Sequence, residues 1–167
     1  SGEMKLGGEQ RNATVFFSDI RSFTSFSEKH QPHEVVEMLN SYFKIMVGIV
    51  TKNHGVVDKF IGDAIMAVWG APESHGNDAR NAITACLEMR KALKIYNDDR
   101  IARGVGEIKI GMGIHSGTLI AGTVGSDDRM EYTVIGDTVN LASRIEAATK
   151  AYGTDLLVSE DTYHLVK

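Results

Sequence analysis

Apolar and polar positions along the chain predict short strands that alternate with long helices. A β-prone apolar run at 13–17 stops abruptly at Ser18-Asp19. Two more apolar runs, at 56–61 and 64–69, are separated by Gly62-Asp63, which is a strong signal for a β-hairpin. The same pattern predicts further strands at 107–115, 118–124, 129–135 and 156–158.

Three helices are predicted from apolar residues that recur every three or four positions. The first, at 34–53, has one apolar stripe through Leu39 and Tyr42 and a second through Phe43 and Val47. Such a wide apolar surface indicates burial against a sheet and against something else, for which a second subunit is one candidate. The other helices are predicted from Asn77 or Asp78 to about 103, and at 138–151 after a capping Asp137, with a last helical turn near the end.

The order of these elements predicts the fold class. Strand, helix, hairpin and helix follow one another in the first hundred residues, which a plain doubly wound parallel sheet does not allow. We therefore expect an α+β fold with a mainly antiparallel sheet and helices packed on it.

Composition limits the classes of function. A chain of 167 residues predicts a single domain over 1–167, with 1–10 as a linker or a cloning remnant. The net charge of −4 argues against nucleic-acid binding, so local cations must hold any polyanionic ligand. The single cysteine, Cys86, fits a reducing compartment, and no apolar run reaches the length of a membrane span. We expect a cytoplasmic location without direct membrane contact from this segment.

Two aspartates are the first candidates for chemistry. Asp19 and Asp63 each follow an apolar run, and either one alone is commonly a turn residue. The run that ends in Asp19 is able to pair beside the hairpin that carries Asp63. Two adjacent carboxylates repel each other unless a divalent cation lies between them, and hard oxygen ligands select Mg²⁺ or Mn²⁺.

Asn140 and Arg144 are the second candidates. They are four residues apart on a predicted helix, so they share one face. Arg144 has the ordinary alternatives of staying solvated or pairing with an acid such as Glu146. A planar guanidinium, however, matches the geometry of a phosphate group better than a lysine does.

Four longer segments, taken together, carry a family resemblance. The chain contains FFSDIRSFTSFSE, VVDKFIGDAIMAVWG, GIHSGTLIAGTVG and EYTVIGDTVNLASRIEAA, in that order. In this order and spacing the sequence resembles the class III nucleotidyl cyclases, and within them the adenylyl cyclase catalytic domain. The resemblance extends from Val15 to about Ser159 and implies a ferredoxin-like βαββαβ core of the nucleotidyl cyclase type.

The resemblance implies roles for residues near the first aspartate. Asp19 and Asp63 match the two metal-binding aspartates, and Ile20 matches the residue whose carbonyl oxygen also binds metal. Phe23 and Thr24 match a loop whose backbone amides hold the triphosphate. Two ions of Mg²⁺ or Mn²⁺ per site are implied as cofactors.

The remaining roles concern the nucleoside and the transition state. Lys59 and Thr133 match the pair that selects the purine, and Val134 follows in the base pocket. Asn140 matches the group that orients the ribose, and Arg144 the group that stabilises the transition state. In the family the aspartates and these four polar side chains come from different subunits, so a chain that has both sets implies a homodimer with two equivalent sites.

The resemblance also sets the expected reaction. The chain is expected to convert ATP into 3′,5′-cyclic AMP and pyrophosphate, because Lys59 only donates and adenine N1 only accepts. Threonine at 133, where many relatives have aspartate, resembles the subgroup that includes bicarbonate-responsive enzymes. A guanylyl cyclase, which glutamate at 59 would favour, and a weakly catalytic nucleotide-binding regulatory module are the alternatives. No residue matches a further family lysine near the C-terminus, so we expect the last part of the domain to lie beyond Lys167.

Overall fold

The computed structural model describes residues 6–167 and contains six strands and five helices in that range. The elements, in chain order, are β1 (Gly7–Ile20), α1 (Phe23–Lys29), α2 (Pro32–Lys52), β2 (Val56–Ile61), β3 (Ala64–Trp69), α3 (Asp78–Ala102), β4 (Ile110–Ser126), β5 (Arg129–Ile135), α4 (Asp137–Tyr152), β6 (Leu156–Val158) and α5 (Glu160–Val166). No helix within 6–167 combines the length and apolar character needed to cross a bilayer.

The sheet confirms the predicted fold class. Its strand order is β2-β3-β1-β4-β5, and each neighbouring pair on this path is antiparallel. The first four strands with α2 and α3 form the βαββαβ arrangement that the resemblance implies. The short strand β6 is the exception, since it pairs in parallel with the beginning of β4.

β1 and β4 are longer than the sequence pattern predicts. The runs expected at 107–115 and 118–124 form one strand, because β1 pairs with β4 continuously from Gly7–Thr123 to Ile20–Ile110 and so bridges Ser116-Gly117. The prediction of a linker over 1–10 is therefore wrong for residues 7–10, which belong to β1. Residues 1–5 of that segment lie outside the described part of the chain.

Both faces of the sheet are covered, and each has its own apolar core. On one face, α2 and α3 bury Tyr42 and Met89 against Phe16 and Ile114. On the other face, a smaller core contains residues of β1, β3, the distal half of β4, β5 and α4. Its members are Ala13, Val15, Phe17, Met66, Val68, Ala71, Leu119, Ala121, Val134, Val139 and Ala142. The sheet curls over this second core, so that its two edge strands, β2 and β5, come into contact.

Helix α2 differs from its prediction in where it begins and in how much of its apolar surface is buried. It begins at Pro32, two residues before the predicted start, and Gln31 and Glu34 form a reciprocal capping box. The apolar stripe predicted through Leu39 and Tyr42 is buried at Tyr42 and Met46 but only partly buried at Leu39, and Met38 beside it is buried instead. The second stripe is only partly covered, and Phe43 on it stacks on Phe60 of β2 at a centroid distance of 4.1 Å.

Helix α4 lies unusually close to β4 at Gly113. A Cβ atom added to Gly113 would lie 2.6 Å from the Cα atom of Glu146 and would also collide with the Glu146 backbone nitrogen. Only glycine permits this approach, and the approach sets the position of the helix that carries Asn140 and Arg144.

We predict that Gly113→Ala destabilises the domain, because the added methyl group meets backbone atoms that cannot rotate away. Overpacking of this kind costs about 1–3 kcal/mol. Thermal unfolding should show Tm lower by about 5 °C. Gly48→Ala is the matched control, since a Cβ at Gly48 in α2 meets nothing within 4 Å. It should leave Tm unchanged or raise it, and an unchanged Tm for Gly113→Ala would contradict the close packing.

Candidate active site

The two aspartates lie side by side at one end of the sheet. Asp19 is the second-last residue of β1, and Asp63 lies in the turn between β2 and β3. Because Ser18 is paired with Ile65 of β3, the end of β1 lies next to that turn. The Ile20 backbone N–H donates a hydrogen bond to Asp63 Oδ2 at 2.8 Å, which fixes the second carboxylate beside the first.

A buried tyrosine lies behind this carboxylate pair. Tyr42 of α2 is almost fully buried, and its hydroxyl oxygen has no hydrogen-bond partner in the described structure. Burial raises the pKa of Tyr42 well above its usual value; the neighbouring Ser18 hydroxyl group opposes this rise, and the negative charges of Asp63 and Asp19 add to it. Both carboxylates are therefore near the same hydroxyl group. Sequence spacing assigned Tyr42 only to an apolar helix face and gave no sign of this contact.

An arginine next to Asp19 connects the carboxylate pair to α4. Arg21 Nη1 is 3.6 Å from Asp19 Oδ1 and also 3.6 Å from Glu146 Oε2. The same guanidinium donates a hydrogen bond to Thr149 Oγ1, one turn further along α4. Burial raises the pKa of Glu146 to about 7, and Asp19 adds to this rise. Arg21 is more than a hundred residues from its partners Glu146 and Thr149 on α4, so no local pattern could have identified these contacts.

Phe23 and Thr24 lie in the first turn of α1 and not in a loop, which differs from the expectation. Ser22 has a φ of 56°, so the chain turns sharply between β1 and this helix. The Phe26 N–H donates to the Ser22 carbonyl oxygen at 3.0 Å and closes the first turn. The N–H groups at the start of a helix have no acceptor inside it, so those of Phe23 and Thr24 are available to a ligand.

A second group of candidate residues lies where the two edge strands meet. Lys59 Nζ of β2 is 3.8 Å from Glu131 Oε1 of β5, and Thr133 lies two residues further along β5 on the same face. Thr133 is 6% exposed and donates a hydrogen bond from its hydroxyl group to Asp58 Oδ2 at 2.8 Å. The sequence identified Lys59 and Thr133 but not Asp58, which connects their two strands.

Val134 has its side chain in the second apolar core and its backbone at the strand contact. Its side chain is buried, and its N–H donates to Asp58 Oδ2 at 3.2 Å. The backbone on the outer side of β5 therefore helps to hold β2 in place.

Asn140 and Arg144 lie together on the exposed face of α4. The opposite face is buried through Val139, Ala142 and Glu146, so the outward direction of both side chains is fixed by packing. The alternative in which Arg144 pairs with Glu146 does not occur, because Glu146 faces Arg21. Within 6–167, no ion pair occupies the Arg144 guanidinium.

Comparison with known proteins identifies close relatives of this arrangement. The model of a family described as the adenylate and guanylate cyclase catalytic domain matches residues 8–167. Adenylate cyclase 1 of Rhizobium meliloti is 39% identical over 150 residues, which cover 90% of this chain and 23% of that protein. The chain spans less than a third of the length of the first curated relatives it matches.

Solved structures agree with the sequence matches. The crystal structure of the adenylyl cyclase CyaB from P. aeruginosa has a TM-score of 0.89 and 39% identity, covering 96% of this chain and 83% of that one. The crystal structure of the guanylyl cyclase Cya2 also has a TM-score of 0.89, with 38% identity over 97% of this chain and 81% of that one. Overall similarity therefore does not separate the two substrate specificities.

Proposed function

We propose a reaction for this chain, which belongs to the adenylate and guanylate cyclase catalytic domain family. The chain converts ATP into 3′,5′-cyclic AMP and pyrophosphate. The observation that carries this proposal is the contact between β2 and β5, which brings Lys59 Nζ to 3.8 Å from Glu131 Oε1 on the strand that carries Thr133 two residues further along. Adenine offers an acceptor at N1 and a donor at N6. A lysine and a threonine can satisfy both.

Lys59 is the stronger discriminator of the two. A lysine ammonium group only donates hydrogen bonds, whereas guanine has a donor, N1–H, at the position that adenine uses as an acceptor. Two donors facing each other leave a buried polar group unpaired, which costs about 1–3 kcal/mol. Guanine is therefore disfavoured, and this argues against the guanylyl cyclase alternative.

The carboxylate pair fits divalent metal ions. Asp19 Oδ1 is buried and accepts no hydrogen bond from the described residues, and its charged neighbour, Arg21 Nη1, lies 3.6 Å away, so this oxygen can still accept a metal ion. Across 6–167 no three His, Cys, Asp or Glu side chains converge to hold a metal. The other ligands would therefore be the Ile20 carbonyl oxygen, phosphate oxygens and water, a hard oxygen set that suits two ions of Mg²⁺ or Mn²⁺. When bound, such ions neutralise the triphosphate and make the ribose 3′-hydroxyl more acidic.

The remaining residues position the substrate for in-line attack. The ribose 3′-oxygen forms a bond to the α-phosphorus while the bond to pyrophosphate breaks, and such a transfer needs positioning and charge stabilisation more than covalent help. Free N–H groups of Phe23 and Thr24 would hold the triphosphate, and Asn140 would orient the ribose. Arg144 would face the charge that develops on the phosphoryl oxygens. Loss of such a preorganised donor costs about 3 kcal/mol, or roughly a hundredfold in rate.

Two copies of the chain would complete the site. Asn140 and Arg144 point outward from α4, away from the buried face through which α4 contacts its own Arg21. Large apolar side chains beside the strand contact are also exposed, with Phe60 at 46% and Ile135 at 48%. Exposed apolar side chains around a functional group are typical of an interface between proteins. These features support a homodimer with two equivalent sites.

Nucleotide specificity tests the central proposal. Incubation of the purified domain with Mn²⁺ and either ATP or GTP should give cyclic AMP at a rate at least about tenfold above that of cyclic GMP, measured by separating the products chromatographically. Cyclic GMP as the main product would support the guanylyl cyclase alternative. Nucleotide binding without either product would support the non-catalytic alternative.

Asp63→Asn tests the metal assignment. The amide oxygen can still accept the hydrogen bond from Ile20, but the negative charge is lost, so we expect Mn²⁺-dependent turnover to fall roughly a hundredfold or more. Circular dichroism and Tm should stay close to those of the unchanged chain. Asp127→Asn, in the exposed turn between β4 and β5, is the matched control and should keep full activity. Full activity of Asp63→Asn would contradict a metal role for this carboxylate.

Mixing two inactive variants tests the shared site. Asp63→Asn chains and Arg144→Ala chains, mixed in equal amounts, should regain roughly a quarter of the original activity, because half of the randomly formed dimers have one intact site. Asp63→Asn mixed with Asp19→Asn should regain nothing, since both changes affect the same side of the site. Mixed dimers of the first pair, confirmed by differently tagged chains and still inactive, would show that the site is not shared.

A further inference from the structure

Asp58 lies at an irregularity that directs its side chain toward the opposite edge of the sheet. The pairing of β2 with β3 shifts between Val57 and Lys59, so Asp58 is the extra residue of a β-bulge. Bulges bend a strand and redirect a side chain. The Asp58 carboxylate consequently reaches β5, the strand at the other edge.

Two hydrogen bonds from β5 converge on one oxygen of this carboxylate. Asp58 Oδ2 accepts from the Thr133 hydroxyl group at 2.8 Å and from the Val134 N–H at 3.2 Å. The backbone N–H can only donate, so Asp58 Oδ2 must act as an acceptor here. An ionised carboxylate is an acceptor at both oxygens and forms stronger hydrogen bonds than a neutral group does.

The contact with Asp58 determines whether the Thr133 hydroxyl group can still donate a hydrogen bond to a ligand or can only accept one. A hydroxyl group has one proton to donate and two lone pairs that accept. The other acceptor near its proton, the Val134 carbonyl oxygen, is 3.5 Å away, which is at the limit of a hydrogen bond. The shorter bond to Asp58 therefore takes the proton, and only the lone pairs of Thr133 remain for a ligand.

We propose that Asp58 is a positioning residue that makes Thr133 a hydrogen-bond acceptor only, and that it thereby selects a purine with an amino group at C6 over one with a carbonyl oxygen there. The inference rests on the proposed function, since it assumes that the base lies against Thr133. A free threonine hydroxyl would accept from the 6-amino group or donate to a 6-oxo group equally well. Asp58 removes the second option.

The arrangement makes adenine recognition a property of one short segment. Lys59 supplies a donor, and the residue before it fixes its partner on β5 as an acceptor. Thr133 is buried, so water competes little for its hydroxyl group, and the low local dielectric strengthens the bond to Asp58. Asp58 and Lys59 together therefore specify two hydrogen-bonding groups of adenine, the N1 acceptor and the 6-amino donor.

The test compares kcat/KM for ATP and GTP in Asp58→Leu and Asp58→Asn. Leucine removes the acceptor, so the preference for ATP over GTP should fall roughly tenfold. Asparagine keeps an acceptor oxygen for the Thr133 and Val134 donors, so its preference should stay within about threefold of the original. Tm is measured for each variant, because a loss of stability lowers both activities and leaves their ratio unchanged.

A second pair of variants separates positioning from support of the fold. Thr133→Val removes the hydroxyl group and should itself lower the ATP preference, whereas Thr133→Ser should preserve it. Adding Asp58→Leu to Thr133→Val should then change the ratio no further, because the proposed effect of Asp58 on the base passes through that hydroxyl group, while its bond to the Val134 N–H affects both nucleotides alike. An additional fall in the double variant would overturn the proposal.

One measurement needs no variant and covers the case in which Asp58→Leu does not fold. Purine riboside triphosphate keeps the N1 acceptor of ATP but has no 6-amino group, so the unchanged chain should use it with a kcat/KM roughly tenfold lower. Equal use of both nucleotides, or an unchanged ATP-to-GTP ratio in folded Asp58→Leu, would overturn the inference. A preference of the unchanged chain for GTP would instead overturn the proposed function.

Discussion

The antiparallel pairing of β1 with β4 is the interaction on which every candidate functional group depends. It continues from Gly7 to Ile20, so it determines both where Asp19 lies and where the distal half of β4 receives β5. A slip of one residue would turn each side chain of β1 to the opposite face, which both apolar cores oppose. The register of this one strand pair therefore fixes the positions of the candidate functional groups together with the fold.

Helix α4 contacts the surroundings of Asp19 with one face and carries Asn140 and Arg144 on the other. Its buried face packs directly on the β4 backbone at Gly113, where no side chain lies between them. The same face binds Arg21 through Glu146 and Thr149. Its exposed face presents Asn140 and Arg144. Asn140 and Arg144 are thus positioned by a helix whose other face binds Arg21, the neighbour of Asp19.

The pattern of apolar and turn residues predicted most strands and helices correctly. It could not predict contacts between residues that are far apart in the sequence. The strands at 56–61, 64–69, 129–135 and 156–158 coincide with their predictions, because turn residues bound each apolar run. Helix α1 was missed, since its seven residues include none that is buried. Asp58 looked like an ordinary strand residue, because its partner Thr133 is 75 positions away.

The meeting of the two edge strands has a consequence for how such domains diversify. Lys59 and Thr133, the side chains proposed to bind the base, lie at the contact between β2 and β5. The carboxylates of Asp19 and Asp63 lie at the end of β1. On the proposed function, substitutions at this contact would alter the choice of base while the carboxylates at the end of β1 stay as they are. Recognition of the base and handling of the phosphates would then change independently of each other on one scaffold.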